Sequence, residues 1–208
     1  MELKTARRSG GRSRKSDRQS KKSIDQLEWG IPYNTDNFVE PLSEEGVSKV
    51  HDATMQVLEE IGIEFLNEEA KKVLSDAGCK VDMNSDNVKM DRSWVKEMIS
   101  KAPSEFEIFP RNINRSVKIG GRNMAFVNVS SPPNVMDLDR GRRVGDFESF
   151  KDLMKLTQYF NCIHLAGGYP VEPVDIHASV RHLDCLYEKL TLTDKVCHAY
   201  SLGSQRVE

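Results

Sequence analysis

The stretch from Asn161 to Glu208 constrains the fold most. Ile163-His-Leu-Ala166 reads as a short apolar strand that breaks on Gly167-Gly168, and Val196-Cys-His-Ala-Tyr200 reads as a second. Between them lie a helical run through Tyr187-Glu-Lys-Leu190 and the polar link Thr193-Asp-Lys195. Two strands joined through a helix form a βαβ unit with parallel strands. Parallel strands are stable inside a larger sheet covered by helices, so two of them cannot be the whole sheet. The chain continues for eight residues past Tyr200 without another strand or helix signal. The expectation is therefore the front piece of a much larger α/β protein.

Composition narrows the class. The chain has 208 residues, enough to bury a real core, with 38% hydrophobic and 30% charged residues. The first 22 residues hold nine Lys or Arg against two acidic residues, a net +7, which leaves −9 on the remainder. An acidic body disfavours nucleic acid as a partner. No run of eighteen apolar residues is present, so no transmembrane span is expected. Arg7-Arg8 lacks the apolar segment of a twin-arginine export signal. Cys79, Cys162, Cys185 and Cys197 are widely spaced with no CxxC pair, and read as buried, reduced thiols. A cytoplasmic location follows.

Three regions are expected. Residues 1–25 form a disordered basic tail of Ser, Gly, Lys and Arg. Residues 26–145 form an α+β region containing a β-hairpin. It opens with an irregular arm anchored by Leu27, Trp29, Ile31, Tyr33 and Phe38. Ser43 caps a helix whose apolar positions are Val47, Val50, Val57, Leu58 and Ile61, closed by Gly62. Asn67 caps a helix with Ala70, Val73 and Leu74, and Asp91 caps one with Trp94, Val95, Met98 and Ile99. These helices are expected to bury their faces against each other and a small sheet from Cys79–Val81 and Val88–Met90. Strands follow at Phe106–Phe109, Val117–Ile119, Met124–Val129 and Val135–Leu138, the last turning on Asp139-Arg-Gly141 into a hairpin. Residues 146–208 begin with an Asp146-capped helix presenting Phe150, Leu153, Met154 and Thr157, followed by the βαβ unit.

Chemistry-bearing residues are sparse. His177 and His182 are five apart, off the i, i+4 spacing of a helical metal pair, and no metal site is expected. Gly167-Gly168 lacks dinucleotide-fingerprint spacing. It does place pliant backbone at a strand's C-terminal end, where parallel α/β folds bind ligands, with Tyr169, Glu172 and Asp175 following. A purely structural turn fits the same residues. Ser130-Ser-Pro-Pro133 reads either as a loop near such a site or as a plain connection.

The ordered series Leu42-Ser-Glu-Glu, Val57-Leu-Glu-Glu-Ile-Gly62, Ala77-Gly78, Ala102-Pro103, Ile119-Gly-Gly121, Val135-Met-Asp-Leu138, Asn161-Cys-Ile-His164, Gly167-Gly168 and Val180-Arg-His-Leu-Asp-Cys-Leu-Tyr187 resembles the N-terminal part of the trimethylamine methyltransferase family. These are corrinoid-dependent methylamine and betaine methyltransferases. The resemblance covers roughly residues 41–208 and implies a (β/α)8 TIM barrel with N-terminal additions, of which this chain would hold the first strand–helix units. It implies methyl transfer from trimethylamine or a quaternary amine such as glycine betaine to the Co(I) of a corrinoid carried by a separate protein. No directly bound cofactor or metal is implied. A homo-oligomer is expected at full length, and the isolated piece should be inactive. Tyr169, Glu172 and Tyr200 are nominated as substrate-pocket residues. No catalytic residue is nominated, since those are expected beyond Glu208, where some family members carry pyrrolysine. The rival class is a non-enzymatic cytoplasmic protein that uses its basic tail to bind RNA or a partner.

Overall fold

A computed structural model describes residues 24–82, 84–200 and 203–204. Most of the basic tail, residues 1–23, lies outside these, as do the readings attached to it. Ile24, at the tail's expected end, donates its N–H to the Tyr159 hydroxyl at 2.9 Å. The chain divides into two compact units, one of residues 33–106 and 119–123, the other of 24–32, 107–118 and 124 onward. Among the described residues, no helix is long and apolar enough to cross a membrane.

In the first unit, α1 (Glu44–Gln56) starts where the Ser43 side chain accepts the Gly46 N–H, with Glu44 and Glu45 against the positive helix end. It runs into a π-helical turn, Val57–Ile61, stopped by Gly62 at φ 87°. A side chain at Gly62 would place Cβ 2.4 Å from Asn87 Oδ1 and 2.7 Å from the Val88 carbonyl, so this stop requires glycine. After β1 (Ile63–Glu64) come α2 (Glu68–Asp76), β2 (Lys80–Asp82), β3 (Asn87–Lys89) and α3 (Arg92–Ser100). Asn67 and Asp91 cap α2 and α3 through their side chains. The antiparallel sheet has the order β1-β3-β2, with both Ile63 and Val81 opposite the fully buried Val88. Buried Lys71 is neutralised by Glu68 at 2.7 Å and Asp86 at 2.5 Å.

The helix faces differ from expectation. Val47, Val50, Val57 and Ile61 are 45–66% exposed, and Met55 is the buried residue of α1. Val73 and Ile99 are exposed as well, while Val95 is buried. Periodicity marks a stripe that can be buried; it does not supply the cover, and three short helices with a three-stranded sheet cover little of it.

The strands β4 (Glu105–Ile108) and β5 (Val117–Gly120) form a two-stranded sheet. In the second unit, β6 (Asn134–Asp137) and β7 (Gly141–Val144) make the expected hairpin, with Gly141 at φ 67°. Asp137 accepts from the Arg140 backbone and from the Arg140 and Arg143 guanidinium groups, which hold its carboxyl down at about 2. The Asp146 side chain then caps α4 (Phe147–Tyr159) by accepting the Ser149 N–H.

Beyond α4 come β8 (Leu165–Ala166), α5 (Arg181–Leu192) and β9 (Val196–Cys197). The strands β8 and β9 pair in parallel, Leu165 opposite Val196. Val127 bridges Leu165 on the other side, also in parallel. Three parallel segments thus lie side by side in chain order, α4 falling in the first connection and α5 in the second. The expected strand at Met124–Val129 survives as this one bridge, and the parallel series begins one segment earlier than the sequence suggested. Phe150, Met154, Ala166, Tyr169, Val171 and Cys185 form the buried core between sheet and helices. The expectation of four buried thiols holds for Cys79 and Cys185; Cys162 is exposed and Cys197 half-buried, because both sit where a two-residue strand or a turn meets solvent.

Two buried side chains tie the segments down. Lys195 donates its ammonium to the carbonyls of Thr157, Phe160 and Ile163 at 2.6, 2.7 and 2.7 Å. It thereby serves carbonyls at and just beyond the end of α4, of which that of Phe160 also accepts the Ile163 N–H at 3.2 Å. Burial lowers this lysine to about 8. His164 is 1% exposed; its Nδ1 accepts the Phe126 N–H at 2.9 Å, which puts the proton on Nε2, facing the Gly30 carbonyl at 3.0 Å. Trp29 packs edge-on against its ring at 5.0 Å.

Burial pushes His164 below its ordinary 6.5, so the folded chain keeps it neutral where the unfolded chain takes a proton. Its contribution is fully present above 6.5 and fades as pH falls from there toward the lowered folded value. Urea unfolding at pH 7.5 and 5.5 should show a loss of stability on acidification that is smaller in His164→Gln. An equal loss in both would remove His164 as the cause.

Candidate functional site

The C-terminal ends of the three parallel segments converge at residues 128–131, 167–169 and 198–200. Backbone groups there are completed by side chains. The Gly167 N–H donates to Asn128 Oδ1 at 2.7 Å and the Gly168 N–H to Ser130 Oγ at 2.8 Å. Across them the Ser131 and Tyr200 hydroxyls share a hydrogen bond of 2.7 Å, joining the two outer segments over the middle one. This arrangement requires both glycines. A Cβ on Gly168 would fall 2.0 Å from the Tyr200 hydroxyl and 2.8 Å from Ser130 Oγ. One on Gly167 would fall 2.7 Å from Val127 Cγ2 and 2.9 Å from the Asn128 carbonyl.

Of the three nominated residues, two come together. Tyr169 and Tyr200 meet edge to face at 4.9 Å, and His198 lies 5.5 Å from Tyr200. Tyr169 itself is 8% exposed and stands edge-on to Phe150 in the core. Burial pushes its hydroxyl up to about 12, so it stays a neutral phenol at any ordinary pH. Its place is behind Tyr200, as support. Glu172 turns elsewhere, to an ion pair with Arg181 at 2.6 Å that fixes the start of α5.

Sequence reading passed over Lys189. It is 1% exposed, and its ammonium donates to the Gly167 carbonyl and to the His198 carbonyl at 2.7 Å. One side chain therefore clamps the ends of two adjacent strands. Burial lowers Lys189 to about 8. A lysine inside a helical pattern reads as surface, so nothing in the text of α5 marks it. Asn128 and Ser130 carried half a signal, the second through the Ser-Ser-Pro-Pro loop. Of the remaining histidines, His177 bonds Ser179 at 2.7 Å. Among the described residues, no group of three or more His, Cys, Asp or Glu is placed to hold a metal ion.

The sequence model of the trimethylamine methyltransferase (MTTB) family matches residues 7–208. This chain belongs to that family. It is 37% identical over 167 residues to the glycine betaine methyltransferase of Desulfitobacterium hafniense strain Y51, covering 80% of this chain and 34% of that protein. It is 28% identical over 142 residues to the trimethylamine methyltransferase MttB of D. hafniense strain DSM 10664 / DCB-2, 66% of this chain and 28% of the relative. The MttB of Methanosarcina barkeri strain Fusaro is 33% identical over 75 residues, 35% of this chain and 15% of that protein. The chain thus spans about a third of the length of the first two curated relatives. The double glycine packs at the strand ends against Ser130, Ser131, Tyr169 and Tyr200.

Gly168→Ala should destabilise by about 1–3 kcal/mol, the range for overpacking a closely packed site. Adding Tyr200→Phe removes the nearest colliding atom, so the double variant should be more stable than the summed single losses predict. Strict additivity in a chemical-denaturation cycle would show that the two residues do not meet.

Proposed function

We propose that this chain forms the N-terminal segment of a (β/α)8 methyltransferase that moves a methyl group from a methylated amine to the Co(I) of a corrinoid carried by a separate protein. The observation that supports it is the order of the parallel segments. Val127, Leu165 and Val196 stand side by side in sequence order with a helix in each intervening connection, the pattern a barrel repeats around its axis. Family membership supplies the reaction class.

The chemistry is a displacement at carbon. The Co(I) electron pair attacks the methyl carbon, the C–N bond breaks, and its pair leaves on nitrogen. A quaternary ammonium departs as a neutral tertiary amine, whereas trimethylamine would need a proton on nitrogen to leave comparably well. Glycine betaine is the substrate favoured here, on the 37% identity to a protein of that name. What the protein must supply is positioning and a wall that tolerates a cation, and the Tyr200 ring at the strand ends suits the second need. Tyr169 holds that ring in place.

The test uses the complete reading frame that encodes this segment, with cob(I)alamin as acceptor and glycine betaine or trimethylamine as donor, followed by the visible spectrum of the corrinoid. Methylation with glycine betaine is expected, and none from the 208-residue chain by itself. A complete protein that methylates cobalt from neither amine would sink the proposed reaction. Turnover by the 208-residue chain would instead sink the view that the site needs further barrel strands.

A further inference from the structure

Three hydroxyl groups gather around Gly168 at the C-terminal ends of the parallel segments. Ser130 Oγ accepts the Gly168 N–H at 2.8 Å, and the Ser131 and Tyr200 hydroxyls lie 2.7 Å apart in a shared hydrogen bond. The glycine makes the room they occupy. Gly168 does not have the positive φ that favours glycine; a Cβ there would collide with both the Tyr200 hydroxyl and Ser130 Oγ. Ser131 is the opposite case. It is not glycine, yet it stands at φ 54°, a left-handed backbone that side chains adopt only at a cost. Its N–H is pinned to the Tyr169 carbonyl at 2.5 Å. Glycine would sit at this position without strain, so the serine is explained by its hydroxyl.

Three hydroxyls carry three protons. One is used between Ser131 and Tyr200, and no acceptor among the described residues takes the other two. Both serines are exposed and Tyr200 is half-buried, so the open protons are within reach of a ligand. A surplus of donors calls for an acceptor. The local charges agree with this. Glu172, the carboxylate acting on Tyr169, is paired with Arg181 at 2.6 Å, and the buried charge at these strand ends is the Lys189 ammonium on the Gly167 and His198 carbonyls.

We propose that the Ser131 and Tyr200 hydroxyls, with Ser130 beside them, hold the carboxylate of the methylated amine and so select a betaine over an amine that has no carboxylate. The assignment rests on the methyl-transfer reading, which puts the substrate at these strand ends. In glycine betaine a single methylene separates the ammonium nitrogen from the carboxylate carbon. Its cation can therefore lie against the Tyr200 ring while its carboxylate reaches the hydroxyl of the same side chain. Trimethylammonium and tetramethylammonium have no acceptor for these protons.

The test is calorimetric binding to the complete protein that contains this segment, without corrinoid, so that the result does not depend on turnover. Glycine betaine and tetramethylammonium are the two probes, and glycine betaine should bind more tightly. Ser131→Ala and Tyr200→Phe should each weaken glycine betaine about tenfold or more, the scale of a hydrogen bond to a charged group, and neither should weaken tetramethylammonium. Ser131→Gly relaxes the backbone that Ser131→Ala leaves strained, so it should melt higher than the alanine variant yet bind glycine betaine no better. Recovery of affinity in the glycine variant would assign the loss to backbone strain and overturn the role of the hydroxyl. Unchanged glycine betaine binding in the alanine and phenylalanine variants, or equal binding of both probes by the unsubstituted protein, would overturn the carboxylate site. So would an unsubstituted protein that binds no glycine betaine, even where methylation of corrinoid from trimethylamine upholds the reaction. Carboxylate-dependent binding without methylation would keep the site and sink the reaction instead.

Discussion

Side chains completing the backbone are what the parallel part of this protein depends on. The paired strands β8 and β9 are two residues each, and the segment before them contributes one bridge. Ladders that short leave most neighbouring N–H and C=O groups without a sheet partner, and each such group is expensive to bury. Asn128 and Ser130 accept the two glycine N–H groups, Lys189 binds two strand-end carbonyls, and Lys195 binds three more. The glycines exist because these partners come so close. The aromatic pair and the core beneath α4 and α5 both sit on this frame.

The frame also explains why two lysines can lie almost wholly inside a small protein. Neither is matched to an acid in the usual way. Each ammonium is dissolved in carbonyl oxygens, a solvent made of backbone, and the difference between them is coordination. Lys195 has a carbonyl for every proton, whereas Lys189 has two carbonyls and the face of the Tyr169 ring, 5.8 Å from its centroid. Similar burial is thus met by two different coordinations, one of carbonyls alone and one of carbonyls and an aromatic face.

Much of the local architecture was legible in the sequence. Ser43, Asn67, Asp91 and Asp146 each cap the helix they were expected to cap, and Gly141 turns the expected hairpin. Those signals are short-range and carry their own chemistry. The βαβ unit at the C-terminal end was legible for the same reason, as was the position of Tyr169 just beyond the C-terminal end of a strand. What failed to read was long-range. The pairing of Val127 with Leu165 depends on a segment with no regular ladder of its own, and the exposure of most of the α1 stripe depends on what neighbours it has, which no pattern names. Lys189 sits on α5 at a position that text alone assigns to solvent. Glu172 looked free in sequence because its partner, Arg181, is nine residues away on the next helix.

The lysine at the end of α4 has a consequence for the order in which the chain can assemble. Helices usually finish with help from residues immediately following, so that a helix can complete itself as it forms. Here the carbonyls at the end of α4 and just beyond it wait for a group 32–38 residues further along. Until α5 has formed and folded back, and Lys195 has arrived beside β8, the Thr157 carbonyl in the last turn of α4 lacks this partner, although the Tyr159 carbonyl already has Gln26 Nε2 and that of Phe160 the Ile163 N–H. On a chain emerging from a ribosome, the end of α4 would therefore hold its local bonds first and gain the lysine's only after the synthesis of α5. Its last side-chain partner would arrive together with the closing of the parallel pair.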